Sequence, residues 1–168
     1  GISPKQLLSM PLVKKRVEAV REFRLKSKKE ATRKSADTPT LFQEIRQPKE
    51  NYILVPRVSS ERREYVPIGF VSRDVIASDS ALIISSAGLY HFGILTSAVH
   101  NAWMRAVCGR LKSDYRYSKE IVYNNFPWPE APAEADREKV EATAQAILDA
   151  RALYPDSSLA DLYDAAPM

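Results

Sequence analysis

The feature that most constrains this chain is the run from Leu89 to Val107, LYHFGILTSAVHNAWMRAV, whose one formal charge is Arg105. A helix that is apolar almost all round must be covered on every side. The run therefore predicts a buried central helix, with Gly109 placed to end it. The rest of a 168-residue chain must supply the cover, and a chain of that length can bury a real core. Ser, His and Asn interrupt the run, and the other apolar stretches are shorter still, so no segment reads as a membrane span.

The cover divides into helical and extended parts. Pro11 suits a first helical turn. It opens a pattern with Leu12, Val13, Val17, Val20 and Phe23 on one face and basic residues on the remainder, fading around Ser35. From Thr40 to Ile84 short β segments are expected. Leu41 to Ile45 is weakly extended, while NYILVPRV (51–58), YVPIGFV (65–71) and Ala81 to Ile84 are richer in β-branched and aromatic residues. Pro56 and Pro67 argue for sheet edges or bulges. Glu120 to Tyr123 is a further strand candidate. Phe126-Pro127-Trp128-Pro129 forms a rigid exit, its two aromatics expected as buried anchors between sheet and C-terminal helix. That last helix runs from Glu134 to Leu153, with a short turn over Ser158 to Tyr163.

The fold class is therefore α+β: a small, twisted, mainly antiparallel sheet packed on a central hydrophobic helix. A basic N-terminal helix and a C-terminal helical arm flank it. Expected boundaries are a basic helix and linker over 1–38, a central domain over 39–130, and a helical region over 131–168.

Charge is segregated along the chain. Residues 1–129 hold 22 Lys and Arg against 12 Asp and Glu, a net of +10, whereas residues 130–168 hold 3 against 9, a net of −6. Such asymmetry fits a polyanion-facing part and a tail that faces elsewhere. A solvated basic surface without a partner fits it equally.

The sequence offers no recognisable catalytic constellation. The five glycines are scattered singly, so no loop cradles phosphates. His91 and His100 lie on the apolar helix without an acidic or nucleophilic neighbour, and packing or surface roles suit both. Asp74, Asp79 and Asp114 fall in turns that form no metal-nuclease motif. Cys108 is the one cysteine, which excludes an intrachain disulfide and a Cys/His zinc cluster. No cleavable leader is visible. The expectation is a metal-independent, cytoplasmic, non-catalytic chain without a cofactor of its own.

One segment concentrates recognition chemistry. Gly109 to Ser118, GRLKSDYRYS, contains Lys and Arg, which donate to guanine O6 and N7, and Asp, which accepts from cytosine N4. In an extended conformation Lys112, Asp114 and Arg116 point to one side. Tyr115, Tyr117 and Ser118 can reach phosphates or pack back on the fold. A solvated loop with a local Lys–Asp pair is the competing reading. Arg57, Arg62, Arg63, Arg73 and Arg110 are candidates for backbone phosphates.

The run from Phe92 to Pro129, FGILTSAVHNAWMRAVCGRLKSDYRYSKEIVYNNFPWP, resembles the target-recognition region of MmeI-like type IIL restriction-modification enzymes and their YeeA-like relatives. PLVKKRVEAVREFRLKS and YVPIGFVSRDVIASDSALIIS extend the likeness more weakly. The resemblance implies an S-adenosylmethionine-dependent adenine DNA methyltransferase whose recognition domain clamps duplex DNA in the major groove. It assigns base reading to Lys112, Asp114 and Arg116. It also implies that cofactor and catalytic motifs lie N-terminal to Gly1, in a methyltransferase domain that partners this chain; the abrupt end at Ala165-Ala166-Pro167-Met168 leads to the further expectation that the C-terminal region is truncated. An RNA-binding module or a domain that docks an acidic partner are the alternatives.

Overall fold

A computed structural model describes residues 2–164, which fall into two compact units, one ending at Arg46 and the other beginning at Gln47. The first unit is helical: α1 (Pro4–Leu8), α2 (Pro11–Leu25) and α3 (Glu30–Lys34), followed by a 3-10 turn over Ser35–Asp37. The Ser3 hydroxyl and the Gln6 side chain form a capping box at the start of α1. The helix expected from Pro11 to about Ser35 instead ends at Leu25 and resumes at Glu30. Arg24 holds the return, donating to the carbonyls of Ser35 (2.8 Å), Thr38 (3.0 Å) and Leu41 (2.8 Å). The last of these bonds takes the carbonyl of Leu41, the first residue of the segment expected to extend to Ile45, and no strand forms there.

The second unit carries β1 (Tyr52–Pro56), β2 (Val58–Ser59), β3 (Gly69–Val71), β4 (Ala81–Ile84), α4 (Leu89–Thr96), α5 (Ala98–Val107), β5 (Gly109–Leu111), β6 (Asp114–Arg116), α6 (Glu134–Ala152) and α7 (Leu159–Tyr163). The α+β class stands, with two small antiparallel sheets where one was expected, ordered β3-β1-β4 and β2-β6-β5. Pro56 lies on β1, the middle strand of the first sheet. Pairing with β3 covers only Tyr52 to Leu54, so the missing N–H of Pro56 falls past the end of β3.

The central hydrophobic helix is present but broken. Ser97 is extended (φ −67°, ψ 155°) and its hydroxyl accepts from the His100 N–H at 3.1 Å, so it closes α4 and caps α5. The core gathers Ile53, Val55, Val66, Ile68, Phe92, Leu95, Met104, Tyr117, Val122 and Ala144 around these two helices. Gly93 lets α6 approach α4: a Cβ there would meet Val140 Cγ1 at 2.7 Å and the Val140 carbonyl at 3.0 Å. Asn101 on α5 accepts from the Val66 N–H at 3.0 Å, tying the helix to the segment before β3.

Two further expectations are corrected. Glu120 to Tyr123 is no strand but part of a π-helical turn over Lys119–Tyr123, started by the Ser118 hydroxyl accepting from Ile121 N. Burial of Val122 and the Trp103 indole bond to its carbonyl (2.9 Å) outweigh its β-branched propensity. Of the two aromatic anchors, Phe126 is buried and makes edge contacts with His100 and Trp128, while Trp128 is half-buried.

Candidate functional site

The segment that concentrates recognition chemistry folds as a ribbon and not as one extended strand. β5 and β6 pair Gly109 with Arg116, Arg110 with Tyr115, and Leu111 with Asp114, leaving Lys112 and Ser113 as a two-residue loop. Lys112 has φ of 57°, the sign that such loops need at their first position. The alternation expected to align Lys112, Asp114 and Arg116 is thus corrected: Lys112 stands at the ribbon tip, while Asp114 and Arg116 share a strand face. β2 adds a third strand, pairing Val58 with Arg116 and Ser59 with Tyr115.

Cross-strand partners share a face. One face holds Val58, Arg116 and Gly109 in one row and Asp114 and Leu111 in the next, and all but the half-buried Asp114 are exposed. The other face packs inward through the buried Ser59 and through Tyr115, which lies against the core. Arg110 braces this inner side. Its guanidinium lies 4.1 Å from the Tyr115 ring centroid and donates to the Ser113 carbonyl at 2.8 Å. Asp114 keeps acceptor capacity on its carboxylate, with a long contact of 3.4 Å from the Glu61 N–H.

Beside the ribbon base lies a second donor–acceptor pair that the sequence did not single out. Arg57 reaches Asp79 at 3.2 Å, and the Asp79 side chain is 99% exposed. The Arg57 N–H donates to the Ser80 carbonyl (2.9 Å), and its own carbonyl accepts from the Tyr117 N–H (2.8 Å). These bonds bring the Ser78–Ser80 turn to the ribbon. Arg57 and the turn holding Asp79 were each legible in the sequence, but not their pairing, because the two lie more than twenty residues apart in the chain.

The remaining candidates separate. Arg62 is exposed and lines a cleft of about 360 Å³ with Glu64, Tyr65, Leu162, Tyr163 and Asp164. Its neighbour Arg63 is committed to Asp164 through Nε (2.7 Å) and a terminal nitrogen (2.6 Å), with its side chain only 17% exposed. Arg73 is not brought to the ribbon. It sits past β3, its guanidinium on the Lys49 carbonyl (3.3 Å), a full length of β1 away from Arg57. Tyr117 and Ser118 take the packing alternative. Tyr117 is 4% exposed with its hydroxyl 2.9 Å from His100 Nε2, so it is corrected out of the phosphate-contact set, and Ser118 caps the π turn.

Among the described residues no three His, Cys, Asp or Glu side chains gather as a metal site, and no helix is long and apolar enough to cross a membrane. Burial holds the His100 pKa down, from 6.5 to about 4, and pushes the Cys108 thiol up. The buried, neutral His100 serves packing, and Cys108 is half-buried.

A braced ribbon with charged donors and acceptors on its open face, beside a second such pair, defines a recognition domain. The chain belongs to the MmeI family: the model described as "MmeI, target recognition domain" matches residues 2–130, and "MmeI, C-terminal domain" matches residues 132–168. It is 40% identical over 163 residues to "DNA methyltransferase A" of Bacillus subtilis (strain 168), covering 97% of this chain and 18% of the relative. A solved structure of the type IIL restriction-modification enzyme MmeI in complex with DNA superposes with a TM-score of 0.87 at 51% identity, covering 98% of this chain and 22% of that one. The chain thus spans less than a quarter of the length of these relatives.

Proposed function

We propose that this chain reads the sequence of duplex DNA on behalf of a longer adenine methyltransferase or restriction-modification enzyme. The observation that carries the reading is the likeness, across nearly the whole chain and at 51% identity, to an enzyme solved with DNA. The major groove admits a two-stranded β-ribbon, and the β5–β6 ribbon presents Lys112 at its tip with Asp114 and Arg116 on its open face. These three residues are the proposed base readers. Arg57 and Asp79 extend the same surface. Arg62 and, further off, Arg73 supply phosphate contacts with salt-dependent affinity, while Arg110 steadies the ribbon through Tyr115 and the Ser113 carbonyl.

S-adenosylmethionine and the catalytic residues belong to a methyltransferase domain elsewhere in the longer protein, which this chain partners, and the proposed location is the cytoplasm. Positioning of an adenine for flipping into that domain would follow from the register in which the ribbon docks.

Selection from a duplex library with a randomised core tests the reading. The expected result is a defined enriched motif containing a G·C pair, with binding displaced by that duplex more effectively than by structured RNA or heparin. A-form RNA has a major groove too narrow for the ribbon. Equal competition by RNA, or no enriched motif, would overturn it.

A further inference from the structure

Glycines are placed by necessity or by use, and three of the four described glycines have an internal reason. At Gly69 a Cβ would meet Leu159 Cδ1 at 2.8 Å, and at Gly93 it would meet Val140 Cγ1 at 2.7 Å. Gly88 occupies the N-cap of α4, a position that favours glycine over alanine. Gly109 was expected to end the buried helix, but Cys108 closes α5 in an extended conformation (φ −68°, ψ 154°) with no left-handed cap after it, so no such reason holds for Gly109. Its φ is not positive, and the nearest atom to an added Cβ is Arg116 Cβ at 3.9 Å, an ordinary contact. A glycine inside a strand also forgoes side-chain packing and weakens the pairing. Strand glycines also mark bulges and sites where another molecule approaches the backbone closely; β5 pairs with β6 one-to-one from Gly109 onward, so no bulge is present and close approach from outside is the use left.

The surroundings say which molecule. Gly109 lies on the ribbon's open face, directly across from Arg116. On the other side of Arg116 stands Val58, 37% exposed, which closes that flank. The space beside Arg116 is therefore walled by Val58 and open over Gly109. We propose that Gly109 is a specificity-determining residue: its missing side chain leaves a notch beside Arg116 that admits the edge of a base pair against the β5 backbone. This rests on the duplex-DNA reading above. Phosphate contacts do not need the notch, because long arginine and lysine side chains reach phosphates across a methyl group. A guanidinium reading a base edge from the adjacent strand does need it, since the base pair and an added side chain would compete for one volume.

The test uses Gly109→Ala, Gly109→Val and Arg116→Ala in the whole chain. The probes are the enriched duplex from the library selection and a duplex of unrelated sequence at low salt. Gly109→Ala is expected to melt at or above the unsubstituted temperature, since alanine lowers unfolded-state entropy where φ is compatible. Its affinity for the enriched duplex should fall about tenfold or more, which is about 1.4 kcal/mol. Gly109→Val should lose more, while binding to the unrelated duplex stays unchanged. Unaltered affinity of the alanine variant for the enriched duplex would overturn the proposal. So would an equal loss on both duplexes, or a loss that tracks a lowered melting temperature. Arg116→Ala separates the two claims. If it relaxes sequence preference while Gly109→Ala does not, the notch fails and the reading stands. If neither changes preference, the reading of bases by this face fails with it.

Discussion

The imidazole of His100 and the phenol of Tyr117 meet at 2.9 Å inside the core, joining α5 to the residue that follows β6. Both are almost fully enclosed, and Phe126 stacks edge-on against the imidazole at 4.6 Å. Charging His100 in this place would strand a cation among apolar groups, which is why its pKa falls to about 4. In the unfolded chain it returns to 6.5. Between those values the unfolded state binds the extra proton, so stability is complete above pH 6.5 and is lost as pH falls toward 4. The loss should total about 3 kcal/mol at an upper bound, from 1.36 kcal/mol per unit. Melts between pH 7.5 and 4.5 are expected to show this slope, and His100→Gln should flatten it. An equal slope in the variant would place the acid sensitivity elsewhere.

The aromatic exit is graded in its contribution. Phe126 is 7% exposed and touches His100, Trp103 and Trp128 by its ring. Trp128 is half-buried, its indole N–H 3.4 Å from the Tyr123 carbonyl. Phe126→Ala should cost about 3–5 kcal/mol, and Trp128→Ala distinctly less, because less of the tryptophan leaves water on folding. Urea unfolding of the two variants checks the order. A larger loss at Trp128 would show that it is the principal anchor.

These particulars show what was legible in the chain. The helix over Glu134 to Leu153 emerged within a residue of its observed end because strong helix formers and a clean apolar stripe agree there. The break at Ser97 was hidden: a serine cap inside an apolar run has the same composition as an uninterrupted helix. The ribbon was hidden too, because its loop uses Lys112 and Ser113 where Asn-Gly or Asp-Gly would have announced a turn. The donor and acceptor residue types of this segment were therefore visible in the sequence, but their division between ribbon tip and face was not.

Arg62 and Arg63 are adjacent in sequence and differ in what they are free to do. Arg63 spends its guanidinium on Asp164, whereas Arg62 makes no ion pair among the described residues. Arg62→Ala should weaken DNA binding across sequences and reduce the slope of log K against log salt by about 0.9, one phosphate contact. Arg63→Ala should leave that slope alone and lower stability by up to about 1 kcal/mol, as expected for an ion pair with one exposed partner. Asp164→Asn should reproduce the stability loss. A salt slope altered by Arg63→Ala would mean that the ion pair opens to engage DNA.

The sharpest prediction concerns Lys112 and Asp114, two residues apart around the ribbon tip. An ammonium only donates, which suits guanine O6 and N7, and a carboxylate only accepts, which suits the cytosine amino group. Together they favour a G·C pair in one orientation and oppose the reverse, where the ammonium would face the amino group and the carboxylate would face the guanine acceptors. Lys112 occupies its loop position with φ of 57°. Glutamate pays the same backbone penalty there as lysine, so Lys112→Glu combined with Asp114→Arg exchanges polarity without remodelling the turn. The double variant should convert the preferred base from G to C on the same strand. Discrimination should be about 1–3 kcal/mol, or roughly ten- to a hundredfold. Library selection with the double variant reads this directly, and methylation-site sequencing would read it in the longer methyltransferase proposed above. An active double variant with an unaltered motif would show that the pair does not read bases. Uniform weakening on every sequence would assign both residues to the DNA backbone.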